Sequence, residues 1–263
     1  MIRGIDHLVI ACEDPDAAAA ELESELGVTC TGGGRHPGAG TWNRIAWLAD
    51  ASYVELVGVT DPDVARRSPV GSAVLRALEE DGGGLATYAL VVDDLDVTLA
   101  GLRAAGSSFG PAVFGSRTRD DGEVVEWWTS VPDAPLAPAM PFLIEHAYTG
   151  TEWGPGALAD RARFAHPIGS PVVLARLDLA SLDPPSLAAD LHRELELDFW
   201  AVADLAVADV GRHVIRLVPR SEMAVPVIVT LGAHVESART ADLLGMRLDV
   251  EVVELPVPEP YPA

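Results

Sequence analysis

His7 in Ile5-Asp6-His7-Leu8-Val9-Ile10, Glu55 in Tyr53-Val54-Glu55-Leu56-Val57 and Glu145 in Phe142-Leu143-Ile144-Glu145-His146 each set an ionisable side chain inside an apolar, strand-like run. An imidazole or carboxylate stranded among Val, Ile and Leu is costly unless something pairs with it. A divalent metal ion is one such partner. Imidazole and carboxylate are the ligands of Zn, Fe, Mn and Ni sites, and neighbouring strands can offer them to a single point. One His with two carboxylates is a hard set that suits Mn, Fe or Mg. An exposed strand face would explain any one of the three residues, but three in comparable settings favour a site.

A second group could bind an organic molecule. The glycines of Arg35-His36-Pro37-Gly38-Ala39-Gly40 let a backbone approach a ligand, and its Arg and His could hold an oxyanion, unless the stretch is an ordinary surface loop. Thr41 and Asn43 share one strand face because successive side chains alternate. The same rule lets only one of Trp127 and Trp128 face a site while the other packs beneath a helix. An indole with Arg117 would suit a planar or carboxylated molecule.

Composition narrows the functions available. The net charge is -22, from 40 acidic and 18 basic residues, and every basic residue is Arg. Without lysine there is no Schiff-base amine and no P-loop lysine. So acidic a surface repels phosphate backbones, so no nucleic-acid partner is expected. Cys12 and Cys30 lack the spacing of a thiolate knuckle or a disulfide framework. No apolar run approaches a membrane span, and no signal-like segment opens the chain, so a cytoplasmic protein off the membrane is expected. No Gly-x-Ser-x-Gly elbow marks a serine hydrolase. His146, His166, His192, His213 and His234 show no ligand spacing; His146 points away from the face of Glu145.

The elements that must position these residues repeat. A strand over Ile5–Cys12 leads to Asp14-Pro15 and a helix that stops at Gly27, with Asp14 as N-cap and Gly27 as the left-handed terminator. The same order returns at Thr87–Val92, Asp94 and Gly106, and again at Val172–Leu179 and Asp183. Shorter strands follow each helix: Thr41–Leu48 and Tyr53–Val59; Pro111–Arg119 and Glu123–Val131, joined at Asp120-Asp121-Gly122, then Pro141–His146; and finally Trp200–Val207, His213–Val218 and Val225–Leu231. A helix from Ser68-Pro69 links the first two units, residues 149–171 read as a boundary, and residues 255–263 as a tail. Each unit reads as βαβββ, an internal repeat.

This repeat, together with Ile5-Asp6-His7-Leu8-Val9, Gly34-Arg35-His36-Pro37-Gly38-x-Gly40-Thr41-x-Asn43 and Tyr53-Val54-Glu55-Leu56, resembles the glyoxalase-like branch of the vicinal oxygen chelate superfamily. The resemblance implies an α+β fold in which βαβββ modules pair into an open, cup-shaped antiparallel sheet. It implies a glyoxalase-like domain over 1–150 and a third, divergent, structural module over 165–255. It further implies a divalent metal (Mn, Fe, Zn, Ni or Mg) on His7, Glu55 and Glu145, with Glu145 or Glu55 exchanging ligation for proton transfer. His36, Thr41, Asn43, Thr87, Arg117 and Trp127 would meet the substrate. Thr87 stands at the fourth ligand position, seven residues before Asp94 as His7 is before Asp14, and Val173 or Leu174 stands at the matching place in the third module. The implied function is a metal-dependent lyase or isomerase acting on a small oxygenated molecule, with a homodimer among the allowed assemblies. The alternative is a metal-free binding protein of the bleomycin-resistance type.

Overall fold

The computed structural model describes residues 1–119 and 122–254. The turn residues Asp120 and Asp121 and the expected tail therefore lie outside the described residues. The first module consists of β1 (Ile2–Ala11), α1 (Pro15–Leu26), β2 (Gly32–His36), β3 (Thr41–Trp47) and β4 (Tyr53–Val59). The helices α2 (Pro62–Ala65) and α3 (Pro69–Asp81) lead to the second module: β5 (Gly84–Val92), α4 (Leu95–Ala104), β6 (Val113–Thr118), β7 (Val124–Ser130) and β8 (Phe142–His146). These strands form one sheet in the order β2-β3-β4-β1-β5-β8-β7-β6. β1 and β5 pair antiparallel at its centre, and the edge strands β2 and β6 come into contact as the sheet curls into a cup.

Two short helices follow, α5 (Gly150–Trp153) and α6 (Pro155–Arg161). The remaining elements are β9 (Val172–Ser181), α7 (Pro184–Leu195), β10 (Trp200–Val202), β11 (Leu205–Val210), β12 (His213–Pro219), β13 (Val227–Ala233), β14 (Arg239–Leu243) and β15 (Met246–Val252). Their order, β10-β11-β12-β9-β13-β15-β14, repeats that of the first sheet without a counterpart of β6. β13 pairs antiparallel with β9 as β5 does with β1. The sequence reading treated Val225–Leu231 as the last strand of a third module, whereas β13 opens a fourth that has no helix. The expected strand Trp200–Val207 is also split, by a turn in which Ala203 adopts φ 52°.

The helix signals act locally as expected. Asp14 accepts from the Asp16 and Ala17 amides, Asp94 from Val97 and Asp183 from Ser186, satisfying donors that a helix start leaves open. Gly27 ends α1 at φ 70°. Leu8, Ile10, Leu56, Leu99, Leu177, Leu191 and Leu217 share one buried cluster between the two sheets, each contributing about 2 kcal/mol of burial. The convex, helix-bearing faces of the sheets thus back onto each other and the concave faces point outward. α3 is the exception, for Ala73, Val74 and Ala77 pack it into the first cup against Val9, Ala11, Val57 and Ala89.

Candidate functional site in the first cup

The strand β1 sets the floor of the cup. His7 shares a face with Val9 and Ala11, and Glu55 shares one with Val57, so both side chains point into the concavity. His7 Nε2 lies 3.6 Å from Glu55 Oε2. Asn43 on β3 donates to Glu55 Oε1 at 2.5 Å. The His7 ring stacks on Tyr53 with centroids 4.4 Å apart and meets the edge of Phe142 at 5.5 Å.

Asp6 also reaches this site, which strict alternation would forbid. Ile5 pairs with Leu90 and His7 with Ala89, leaving Asp6 as the extra residue of a bulge. Its buried carboxylate accepts from His7 Nδ1 at 2.6 Å and from His146 Nε2 at 3.1 Å. Burial works against the charge, yet His146 and then His7 outweigh it and hold the Asp6 carboxyl well below the usual carboxylate range.

The expected three-ligand centre does not assemble. Glu145 sits on the helix-bearing face of β8, where its Oε2 accepts from the Leu95 amide at 2.7 Å at the start of α4. The reason is register. Ala89 pairs with Phe142 in parallel, so Phe142 holds the place in the second module that Glu55 holds in the first. Glu145 is three residues further on, an odd number, and so faces the other way. Thr87, the proposed fourth position, donates its hydroxyl to the Met140 carbonyl at 3.1 Å. The second module thus offers a phenyl ring and a committed hydroxyl where ligands would stand. Among the described residues, no group of three or more His, Cys, Asp or Glu is arranged to hold a metal ion. The residues present do not fit the divalent metal that the resemblance implies.

The other expected residues do line the cup. His36, at the end of a strand rather than in a loop, lies 3.2 Å from the Thr41 hydroxyl, and its ring is 6.4 Å from Trp127. Burial pushes its pKa down. Trp128 packs on the opposite face, against Phe114. Arg117 on β6 is buried, and its Nη2 donates to both Glu152 oxygens at 2.6 and 2.8 Å.

The sequence singles out neither Glu152, Trp153 nor Asp6, and it sets His146 aside as facing away from Glu145. His146 is in the cup because Glu145 is not. Its ring stacks on Trp153 at 3.7 Å. The stretch read as a boundary crosses the mouth: Trp153 also meets Trp47 edge-on, and the Arg161 guanidinium lies 3.4 Å from the Trp47 ring centroid. Burial lowers the Arg161 pKa to about 10. Among the described residues, Asn43 Oδ1, Arg117 Nη1, His146 Nδ1 and Arg161 Nη1 are buried around the cup without a hydrogen-bond partner. Such atoms normally meet water or a ligand.

In the second sheet, Arg176 stands seven residues before Asp183 and pairs with Val214 as His7 pairs with Tyr53. Arg176, and neither Val173 nor Leu174, therefore occupies the position of His7. Of the remaining histidines, His166 bonds the Trp47 carbonyl, and His213 joins the two sheets by accepting from the Ile5 amide at 2.8 Å and donating to Asp50 at 3.0 Å.

A model described as a glyoxalase-like domain matches residues 5–195. No curated protein matches the chain. Among solved structures, a hypothetical protein from Staphylococcus aureus superimposes with a TM-score of 0.76 at 13% identity, covering 95% of this chain and 99% of that one. A variant of 4-hydroxymandelate synthase from Streptomyces coelicolor gives a TM-score of 0.50 at 14% identity over 88% of this chain and 71% of its own. Methylmalonyl-CoA epimerase from Streptomyces coelicolor is 22% identical over 56% of this chain and 99% of its own, with a TM-score of 0.42. At these identities, the first two likenesses speak to fold alone.

Proposed function

The chain belongs to the glyoxalase-like domain family, and from that premise we propose that it is a proton-transfer enzyme of the isomerase or lyase type, acting on a small oxygenated organic molecule in the first cup. The observation that carries this reading is the buried chain Asp6, His7, Glu55, Asn43. Asp6 accepts a hydrogen bond from His7 Nδ1 and so aims Nε2 at Glu55. At 3.6 Å Nε2 and the Glu55 carboxylate are too far apart to be tied up in a hydrogen bond with each other. Glu55 as a carboxylate can therefore accept a proton from a carbon beside a carbonyl while a protonated His7 gives its own Nε2 proton to a neighbouring atom, so that the pair ends with as many protons as it began with, a role worth roughly 100-fold or more in rate. No step runs through a metal centre, because the donor set does not fit one. The sheet formed by residues 172–252 serves as support.

A second reading, a binding protein without turnover, is favoured by the apolar half of the floor, where Phe142 stands opposite Glu55 in the module repeat. Deuterium uptake separates the two. Incubated in heavy water with a panel of small hydroxyketones and oxo esters, the protein should label at least one compound beside its carbonyl, as read by proton NMR. The Glu55→Gln variant should lose that activity. Labelling unaffected by Glu55→Gln and His7→Ala would contradict the enzyme reading.

A further inference from the structure

The cup is filled by its own chain, and the filling has the form of a ligand. Glu152 and Trp153 are consecutive residues of α5, and both are buried although neither belongs to the sheet. The carboxylate of Glu152 lies against Arg117 Nη2, while the indole of Trp153 lies flat on His146. Together they place an anion and an aromatic plane side by side over the Asp6 and His7 floor.

The pairing with Arg117 is incomplete. Glu152 engages Nη2 with both oxygens, while Arg117 Nη1 is buried with no partner among the described residues and points toward β2, where a Cβ on Gly34 would lie 3.6 Å away. A guanidinium presents a fork that a carboxylate matches with two parallel bonds, one to each of two nitrogens. Glu152, held by its helix, does not make that match. Arg161 repeats the pattern at the mouth, with a buried Nη1 unpartnered while its plane covers Trp47.

The segment that supplies Glu152 is a single helical turn between glycines. Tyr148 adopts φ 40° just before α5, Gly150 opens the helix at φ 73°, and Gly154 separates α5 from α6. The segment's hold on the β6 and β7 hairpin is in part exposed and polar, the Thr151 amide donating to Glu123 at 2.6 Å and Arg119 to the Thr151 hydroxyl at 2.9 Å, and in part buried, through Glu152 on Arg117 and Trp153 beside Val125. The exposed contacts contribute little to stability, whereas the buried ones must be replaced by a ligand that itself pairs with Arg117 and packs on His146.

We propose that Glu152 and Trp153 act as a built-in stand-in for the ligand. The molecule the cup takes is then a small carboxylic acid with a planar apolar part, whose carboxylate displaces Glu152 from Arg117 as α5 swings out. This deepens the function proposed above and rests on that reading for its chemistry, but not for its binding contacts.

Benzoate and its neutral isostere benzamide test the subsite by calorimetry. The native protein should bind benzoate about tenfold or more tightly than benzamide, since only the anion can pair with a buried guanidinium. Glu152→Gln should strengthen benzoate binding about tenfold by removing the internal competitor. Arg117→Met should abolish the preference for benzoate and Arg117→Lys should keep part of it, with circular dichroism confirming that both variants are folded. Deuterium uptake is scored separately on the native protein, so that a benzoate preference without labelling counts against the enzyme reading alone and labelling without a benzoate preference against the subsite alone. Equal affinity for benzoate and benzamide, or no benzoate binding at millimolar concentration by folded Glu152→Gln, would overturn the proposal.

Discussion

The two sheets share a strand order but differ in what stands on their concave faces. In the first, the inward-facing floor positions of β1 and β4 carry His7 and Glu55, α3 and α5 close the cup, and polar atoms are left without partners. In the second, the same positions carry Arg176 and Arg216, both of which bond the buried Asp178 carboxylate. The hydrogen bond to Asp178 raises the Arg216 pKa, and Arg176 also reaches Glu251 at 3.3 Å. The second floor is a set of ion pairs with one buried hydroxyl, Thr230 Oγ1, left without a partner among the described residues; the first holds His7 and Glu55 3.6 Å apart with four such atoms around them. Buried polar groups are nearly always satisfied in native proteins, so a cluster of exceptions marks the face that still has something to meet. A shared topology therefore does not confer a shared role. The role is set by which residues occupy the two floor positions.

That contrast can be broken in several ways. The largest expected effect is on the join between the two halves. Asp50→Ala should cost about 3 kcal/mol in urea unfolding, because it strands His213 and the Leu174 amide in a buried setting. Burial raises the Asp50 pKa, but its bond to His213 outweighs this and holds it below the ordinary value. A carboxyl with a depressed folded pKa contributes stability above its unfolded value and loses it as pH falls through the folded one. Native stability should therefore decline below about pH 4, and the Asp50→Ala variant should show a shallower decline. If both decline equally, the two halves are not joined through this pair.

A gain of function tests the register argument. Thr87→His with Phe142→Glu should place a second His and carboxylate on the floor opposite His7 and Glu55, raising Zn or Ni affinity by roughly 100-fold over the native chain in calorimetry. Tight stoichiometric metal binding by the native protein would show the donor argument to be wrong. Asp6→Asn should lower deuterium uptake roughly tenfold to 100-fold, as loss of a group that orients a ring nitrogen does. Arg176→Gln is the smallest expected change. It should leave uptake and benzoate binding within about twofold and cost under about 1 kcal/mol, because its ion pairs are partly exposed.

How far the sequence carried depends on whether a feature is local. The caps at Asp14, Asp94 and Asp183 are decided within four residues, and they stand where the pattern put them. Period-two alternation was enough to put His7 on one face and to separate Trp127 from Trp128. It failed at Glu145, because the residue equivalent to Glu55 is set by pairing with β5 rather than by position within β8. It failed at Asp6, because a bulge turns two successive side chains toward one face. The helix-less fourth module was invisible to a reading that counted helix caps. Glu152 and Trp153 were hidden because Gly-Pro-Gly composition reads as a linker, whatever the tertiary fold later packs there.

The claim that the first cup, and not the second, is the ligand site can be read most directly from the tryptophans. Trp47, Trp127 and Trp153 surround the first cup, while the exposed Trp200 lies on β10 at the edge of the second sheet. In a nitrogen–proton NMR titration with benzoate, with the indole signals assigned by single Trp→Phe variants, the account predicts saturable shifts of the Trp47, Trp127 and Trp153 signals and a stationary Trp200. Saturable movement of Trp200 with the other three unmoved would contradict it.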